Sequence, residues 1–181
     1  ILFDIAFSLI IWIIVLQIIA ISAVIVKLES KGPIFFIQER IGEGNLPIKI
    51  IKFRSMTTDA EKDGPQWATK NDNRVTKWGK IMWATRIDEL PQLWNVIRGE
   101  MSFVGPRPER EFFIQQLEQE MPYYNLRHTV KPGLTGWAQV MYPYGASVED
   151  AYNKLQYDLY YIKHNNTIFD IMVILKTINI V

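Results

Sequence analysis

The chain begins with a long apolar segment. Residues 1–26 carry 22 apolar side chains and a single charge, Asp4, and residues 5–26 carry no charge at all. Because a helix rises about 1.5 Å per residue, a segment of this length could cross a hydrocarbon core about 30 Å thick. It is too long for a signal peptide and lacks the basic start of one. The pattern therefore predicts a membrane-embedded helix over residues 1–27.

The residues after this segment indicate its orientation. Basic side chains follow at Lys27, Lys31 and Arg40, and such residues favour the cytoplasmic side of a membrane. Hydropathy does not distinguish a spanning helix from a re-entrant one. Gln17 lies in the middle of the segment, where an amide needs a partner. We therefore leave both geometries open at this point and expect residues 28–181 to form one domain at the cytoplasmic face.

The remaining pattern is mainly helical. Two apolar runs flank a turn that contains Gly42, Gly44 and Asn45, which predicts a β-hairpin over residues 34–54. Residues 57–77 are polar and predict a surface loop. Apolar side chains recur at helical spacing over residues 75–84, 88–98, 109–120, 147–163 and from 167 onward. Asp88 is expected as the N-cap of the second of these helices. The predicted fold is mainly α with a small β-hairpin, and its amphipathic helices pack at the membrane interface.

Composition removes several classes of function. The formal net charge of +1 argues against a nucleic-acid-binding protein, which needs dense basic surface. The absence of cysteine excludes disulfides, a thiol nucleophile and a cysteine-ligated metal. The two histidines lack the spacing of a zinc site. The chain starts with Ile1 and stops inside an apolar run, so we expect it to be a piece of a longer protein.

Charged residues in stiff or capped positions suggest chemistry on anions. Asp88 and Glu89 lie at a predicted helix start, where free N–H groups favour ionised carboxylates and attract phosphate. Acids at helix starts are common, so this pair alone proves little. Arg107 stands between two prolines after a glycine, a stiff setting that suits a guanidinium holding phosphate. Lys52 and the loop 131–136 add further basic groups. Together they favour phosphoryl transfer, in which a carboxylate can act as the nucleophile.

The same residues belong to recognisable motifs. Residues 85–108, TRIDELPQLWNVIRGEMSFVGPRP, closely resemble the signature of bacterial sugar transferases, the monotopic phosphoglycosyl transferases of the polyprenol-phosphate pathway. Phe3-Asp4, residues 52–56 (KFRSM) and residues 131–140 (KPGLTGWAQV) resemble that family in the same order. Residues 144–163 are most similar to exopolysaccharide-initiating hexose-1-phosphate transferases. The resemblance covers essentially the whole chain.

The resemblance implies a two-step reaction at the cytoplasmic face of the bacterial inner membrane. The Asp88 carboxylate would attack the β-phosphorus of a UDP-sugar and release UMP. Polyprenyl (undecaprenyl) phosphate would then take the phosphosugar from the enzyme. By the same analogy Glu89 assists as a base or an orienting group, Mg²⁺ bridges Asp88 and the diphosphate, and Arg107 holds phosphate. Lys52, Lys131 and Thr135 are carried over as further phosphate-binding candidates. The resemblance also implies contact with membrane lipid, and larger members of the family can be homodimers.

Two positions depart from the family pattern. Trp83 stands where relatives carry an arginine, five residues before the nucleophile, and we expect Arg86 to supply that charge. The proline that turns the membrane helix back is missing, since no proline precedes Pro33, and Gln17 occupies the region. We nevertheless expect a re-entrant helix by resemblance. The identity of the sugar is left open.

Two other functions compete with the transferase. A non-catalytic, membrane-anchored adaptor that binds anionic lipid headgroups would use the same basic loops but would not need Asp88. A glycoside hydrolase would use paired carboxyl groups about 5 to 10 Å apart on either side of the scissile bond. Adjacent acids at one helix start are poorly placed for that task.

Overall fold

The computed structural model describes residues 2–62, 64–69, 72–142 and 147–179, with side chains from residue 15 onward. The α-helices are α1 (Leu2–Glu29), α2 (Lys77–Thr85), α3 (Leu93–Ile97), α4 (Glu111–Glu120), α5 (Trp137–Met141), α6 (Val148–His164) and α7 (Thr167–Ile178). The strands are β1 (Phe35–Ile41), β2 (Pro47–Phe53), β3 (Ser102–Val104) and β4 (Gly133–Thr135). Short 3₁₀ turns cover Glu43–Asn45, Ile87–Gln92 and Tyr124–Thr129. The expectation of a mainly helical chain with a small hairpin is confirmed.

The predicted hairpin is present. β1 and β2 pair antiparallel, with Phe35 opposite Phe53 and Ile41 opposite Pro47. The turn between them places Gly44 at φ 66° and Asn45 at φ 61°. Glycine and asparagine tolerate this left-handed conformation best, which explains why the sequence signals the turn. The hairpin delivers the end of β2, and with it Lys52, to the centre of the domain.

A second sheet was not predicted. β3 and β4 pair in parallel, with Ser102 opposite Gly133 and Val104 opposite Thr135. A Cβ on Gly133 would lie 2.1 Å from the backbone nitrogen of Gly105. The two backbones can approach this closely because glycine occupies position 133. Each strand has only three residues, too few for a period of two to show in the sequence. This sheet brings the loop 131–136 against the turn that carries Arg107.

The helix predicted over residues 88–98 is in fact two elements. A 3₁₀ turn, Ile87–Gln92, precedes α3, and its N-cap is Arg86 at φ 57°. The expectation that Asp88 caps this helix is therefore wrong. The chain leaves α2 through the left-handed Arg86 and resumes helical geometry at Ile87, which leaves Asp88 inside the first turn. The N-cap of α7 is Asn166, whose side chain accepts a hydrogen bond from Phe169 N.

Other helix starts follow the sequence signals. The Thr76 side chain accepts a hydrogen bond from Gly79 N at the start of α2. Ser147 and Asp150 form a reciprocal capping box at the start of α6. α4 ends at Glu120, before Pro122. Residues 143–146, part of the segment that resembles exopolysaccharide-initiating relatives, lie outside the described residues.

The C-terminal half of α1 packs on the domain. Ile19 and Val26 join Phe53 and Met82 in one buried cluster, which links α1 to β2 and α2. Arg54 caps the end of α1, because its guanidinium donates to Ser30 O at 2.8 Å and to Lys31 O at 2.7 Å.

Among the described residues, no helix has the length and apolarity needed to cross a bilayer. Within α1, Gln17 is exposed and Ser22 is buried. The side chains of Phe3 and Asp4 lie outside the described residues.

The main core lies behind the Ile87–Gln92 turn. It joins β2, α3, β3, α6 and α7 through Ile50, Val96, Val104, Tyr161 and Val173. Asn95 is also buried there, and its amide bridges Lys49 O and the Glu100 carboxylate. The turn that carries Asp88 and Glu89 thus rests on packed elements on both its flanks, a rigid setting for chemistry.

Candidate active site

Asp88 and Glu89 are buried together in the 3₁₀ turn that follows α2. Each is 6% exposed. Arg86 opens the turn in the left-handed region, which is unfavourable for a residue with a Cβ, and its side chain points back to Glu89. Strain of this kind persists only where the surrounding structure fixes it. The sequence pair is therefore held in place as a buried, charged site.

Three cationic side chains converge on Glu89. Arg107 donates to both carboxylate oxygens, at 2.5 Å to Oε1 and 3.3 Å to Oε2. Lys52 Nζ lies 3.8 Å from Oε1, and Arg86 Nη1 lies 3.6 Å from it. We call Asp88, Glu89, Lys52, Arg86 and Arg107 the carboxylate cluster. The structure thus brings together five of the seven site residues that the sequence predicted.

Asp88 has a different environment from its neighbour. Its Oδ1 is buried without a hydrogen-bond partner in the described part of the chain. Burial, and then the charge of Glu89, raise the pKa of the Asp88 carboxyl above its usual range. Burial also opposes the ionisation of Glu89, but Arg107 and Lys52 outweigh it and hold that pKa well below its usual range. Two adjacent carboxyls are thereby given separate roles.

Lys52 is half-buried at the end of β2, with 15% of its side chain exposed. Burial, and then the nearby charge of Arg107, lower the pKa of its ammonium to about 8. Glu89 acts in the opposite direction and favours the charged form. The cluster thus carries three cations for two carboxyl groups, so it attracts an anion such as a diphosphate.

The remaining two predicted residues are engaged elsewhere. Lys131 Nζ donates to Gly99 O at 2.5 Å. The Thr135 hydroxyl lies 2.8 Å from that of Thr177. Their loop contributes through its backbone instead: Gly133 N donates to Pro106 O at 3.0 Å, and Gly105 N donates to Thr135 O at 2.9 Å. The loop 131–136 supports the turn that carries Arg107.

Sequence reasoning missed a second group of residues around Arg107. Arg127 is buried, and its Nη2 donates to Arg107 O at 2.7 Å and to Asp158 Oδ2 at 3.0 Å. Asp158 is on α6, 31 positions further along the chain. No local pattern links residues so far apart, so only the fold reveals the contact.

Trp83, which stands where relatives carry an arginine, has a structural role. The Trp83 indole donates to Ser55 Oγ at 2.9 Å. Arg86 supplies a guanidinium to the site from the next turn. The expectation that Arg86 substitutes for the missing arginine in the reaction stays a prediction.

The residues present fit a magnesium ion that draws most of its ligands from water and substrate. Among the described residues, no group of three or more acids or histidines is arranged to hold a metal. Mg²⁺ at phosphate sites is commonly bound through one or two carboxylates plus phosphate oxygens. The partnerless Oδ1 of Asp88 is an oxygen of the required kind. Asp88 is therefore the residue that would hold the ion.

The geometry weakens both competing functions. A glycosidase needs two carboxyl groups on opposite sides of a bond, but here the two acids are adjacent and one is paired with Arg107. An adaptor for lipid headgroups has no use for a buried carboxyl with a raised pKa.

Comparison with known proteins yields consistent relatives. A family model described as "Bacterial sugar transferase" matches residues 1–181. The chain is 48% identical over 157 residues to the UDP-N-acetylgalactosamine-undecaprenyl-phosphate N-acetylgalactosaminephosphotransferase of Aeromonas hydrophila, covering 87% of this chain and 37% of that protein. It is 44% identical over 177 residues to the UDP-glucose:undecaprenyl-phosphate glucose-1-phosphate transferase of Klebsiella pneumoniae, covering 97% of this chain and 38% of that protein.

A third relative is matched over most of its length. The chain is 37% identical over 182 aligned residues to the exopolysaccharide production protein PSS of Rhizobium leguminosarum bv. phaseoli, covering 97% of this chain and 91% of that protein. By contrast, the chain spans only 37% and 38% of the Aeromonas and Klebsiella relatives.

Proposed function

The chain belongs to the bacterial sugar transferase family, and on that premise we propose that it transfers a sugar-1-phosphate from a UDP-sugar to undecaprenyl phosphate and releases UMP. One observation carries the proposal. A buried carboxyl, Asp88, has an oxygen without a hydrogen-bond partner among the described residues, beside a carboxylate contacted by three cations. This arrangement supports the proposal, because a carboxylate nucleophile that attacks a diphosphate needs cations beside it to bind the phosphates.

In the first step a carboxylate oxygen of Asp88 forms a bond to the β-phosphorus of the UDP-sugar. The bond between that phosphorus and the oxygen bridging to the α-phosphorus breaks, and UMP leaves with the bridging oxygen. The sugar phosphate remains on Asp88 as an acyl phosphate. Arg107, Lys52 and Arg86 are placed to stabilise the charge that develops on the phosphate oxygens.

In the second step an oxygen of undecaprenyl phosphate attacks the same phosphorus. The bond to Asp88 breaks, the carboxylate is regenerated, and the product is an undecaprenyl diphosphate sugar. Mg²⁺ bound at Asp88 would neutralise phosphate charge.

Glu89 acts as an orienting group. Its carboxylate is bound by Nη1 and Nη2 of Arg107 and has a pKa well below its usual range, so it is a weak base. The same contacts fix the direction in which the guanidinium points. Of the two roles that the resemblance allows, base or orienter, the geometry supports the second.

We further propose that the protein works at the cytoplasmic face of the bacterial inner membrane. Large apolar side chains are exposed on α1 and α7, among them Leu28 at 80% and Ile168 at 81%. Exposed apolar surface of this kind suits contact with lipid. Because the chain has no cysteine, a single Cys introduced at residue 1 reports topology cleanly. A re-entrant helix predicts labelling from the cytoplasmic side, and labelling only from the periplasm would refute re-entry.

Mass spectrometry of the protein tests the covalent step. The protein is incubated with Mg²⁺ and a panel of UDP-sugars but no lipid acceptor. We expect a phosphosugar on Asp88, released UMP, and neither product in Asp88→Asn. Asp59→Asn, which alters a fully exposed acid, serves as the control and should still form the adduct. Wild-type UMP release by Asp88→Asn contradicts the proposal, and vesicle binding without UMP release by the wild-type protein would favour the adaptor.

A further inference from the structure

The turn that carries Arg107 is held by its carbonyl oxygens. Prolines at 106 and 108 lack a backbone N–H, so this stretch has few donors of its own. Three successive carbonyls instead accept hydrogen bonds from separate parts of the fold. Gly133 N binds Pro106 O at 3.0 Å, Arg127 Nη2 binds Arg107 O at 2.7 Å, and Arg40 Nη1 binds Pro108 O at 3.0 Å. The backbone position of Arg107 is thus fixed from outside its own segment.

Arg127 is the donor that acts on Arg107 itself. Its guanidinium also binds Asp158 Oδ2 at 3.0 Å and the Tyr124 hydroxyl, and it lies over the Tyr124 ring at 5.0 Å. We call Arg127, Asp158 and Tyr124 the Arg127 group. A planar guanidinium can serve a carbonyl, a carboxylate and a hydroxyl at once, whereas a lysine ammonium cannot reproduce this geometry.

Arg107 is consequently held through both its side chain and its backbone. Its side chain is bound by Glu89, and its carbonyl is bound by Arg127. A shift of the Arg107 backbone would move the Arg107 guanidinium with it. A misplacement of about 1 Å at a reacting centre can cost about 10²-fold in rate. Buried ion pairs add little net stability by themselves. Stability of the Arg127–Asp158 pair therefore does not account for the additional hydrogen bond from Arg127 to the Arg107 carbonyl.

We propose that Arg127, kept in place by Asp158, is a positioning residue that fixes Arg107 against the phosphate-binding side of the carboxylate cluster. It acts through the Arg107 carbonyl and touches no reacting atom. The inference rests on the proposed function, because it assigns Arg127 a part in the same site.

A double-mutant cycle tests the positioning role. UMP release from a UDP-sugar is measured for Arg127→Lys, Arg107→Lys and the double variant, with the folded fraction of each determined by circular dichroism. Arg54→Lys provides the matched control, since Arg54 is also a buried arginine that donates to backbone carbonyls, but those of α1. Asp158→Glu, which keeps the charge and moves the carboxylate, takes the place of Arg127→Lys if that variant does not fold.

The expected result is strong coupling between residues 127 and 107. Arg127→Lys should lower kcat/KM per folded molecule about 10- to 100-fold in the wild-type background. In the Arg107→Lys background the further loss should be less than about threefold, because the side chain being positioned is already altered. Arg54→Lys should change activity by the same factor in both backgrounds. Equal losses for Arg127→Lys in both backgrounds would overturn the proposal.

Failure of the proposed function would look different. In that case the wild-type protein itself would release no UMP from any UDP-sugar. The same cycle is then measured on the rise in Tm caused by UDP, which depends on binding and not on turnover. Coupling in that readout supports the positioning role. Additive effects, or no shift by UDP in the wild-type protein, contradict it.

Discussion

Two ionic groups with buried acids meet at Arg107, and they differ in how completely their polar atoms are hydrogen-bonded. In the carboxylate cluster, three cations converge on Glu89 while Oδ1 of Asp88 has no partner within the described residues. In the Arg127 group, one guanidinium is matched by a carboxylate, a hydroxyl and a carbonyl. The acids of both groups are buried, so burial of the acids alone does not separate the two groups.

The difference indicates which group performs chemistry. Buried polar atoms are nearly always hydrogen-bonded, and an exception calls for an explanation such as an absent ligand. A buried carboxyl with an unpaired oxygen beside surplus positive charge is typical of a site that binds and attacks an anion. The Arg127 guanidinium already binds three protein groups, so its role is to hold those groups in place. The contrast predicts opposite responses when the acid of each group is neutralised.

The largest expected effect is the loss of activity in Asp88→Asn. Removal of the nucleophile should lower UMP release by about 10³-fold or more, while Tm stays the same or rises, because the amide avoids the cost of burying a charge. UMP release and thermal unfolding measure the two effects. A marked fall in Tm would show that Asp88 also stabilises the fold.

The opposite response is expected of Asp158→Asn. This change leaves Arg127 buried without its carboxylate, which should destabilise the fold by about 3–5 kcal/mol. Chemical denaturation measures the free energy of unfolding. A loss below about 1 kcal/mol would mean that the pair is better solvated than its burial indicates.

The sequence predicted the carboxylate cluster well and the Arg127 group not at all. Asp88, Glu89 and Arg107 lie within 20 residues in a motif of recognisable composition, so their meeting was expected. Arg127 and Asp158 meet only because the Tyr124–Thr129 turn and α6 pack together. Asp88 was misassigned as a cap because an arginine in the left-handed region has no sequence signature comparable to glycine. The side chains of Lys131 and Thr135 are bound to partners that are far apart in sequence.

A smaller effect should follow changes at Arg86, which contributes both charge and an unfavourable backbone conformation to the carboxylate cluster. Arg86→Ala and Arg86→Gly should each lower UMP release about 10- to 100-fold, because both remove the guanidinium near Glu89. Glycine accepts φ 57° at little cost, so the Gly variant should be more stable than the Ala variant by about 1 kcal/mol. Activity and Tm are measured together. Near-wild-type turnover in either variant would reject the role of Arg86.

A pH effect on stability should arise next to Arg127. His128 is buried, and burial followed by the charge of Arg127 lowers its pKa to about 4. The folded state therefore binds fewer protons than the unfolded state, in which the pKa is about 6.5. This stabilisation is complete above pH about 6.5 and is lost as the pH falls toward 4, by at most about 1.4 kcal/mol per pH unit. Denaturation of wild type and His128→Gln at several pH values tests it, and equal pH slopes would count against the assignment.

The smallest effect on activity is expected for Tyr124→Phe. This substitution tests whether the Arg127 group positions Arg107 through all of its contacts or through one of them. The substitution removes the hydroxyl that Arg127 binds but leaves the contacts with Asp158 and the Arg107 carbonyl. One lost hydrogen bond to a charged partner should cost about 1–3 kcal/mol in the free energy of unfolding. Because the Arg107 carbonyl keeps its donor, kcat/KM per folded molecule should change by less than about twofold. A large loss of activity at unchanged stability would mean that the hydroxyl itself sets the direction of the Arg127 guanidinium.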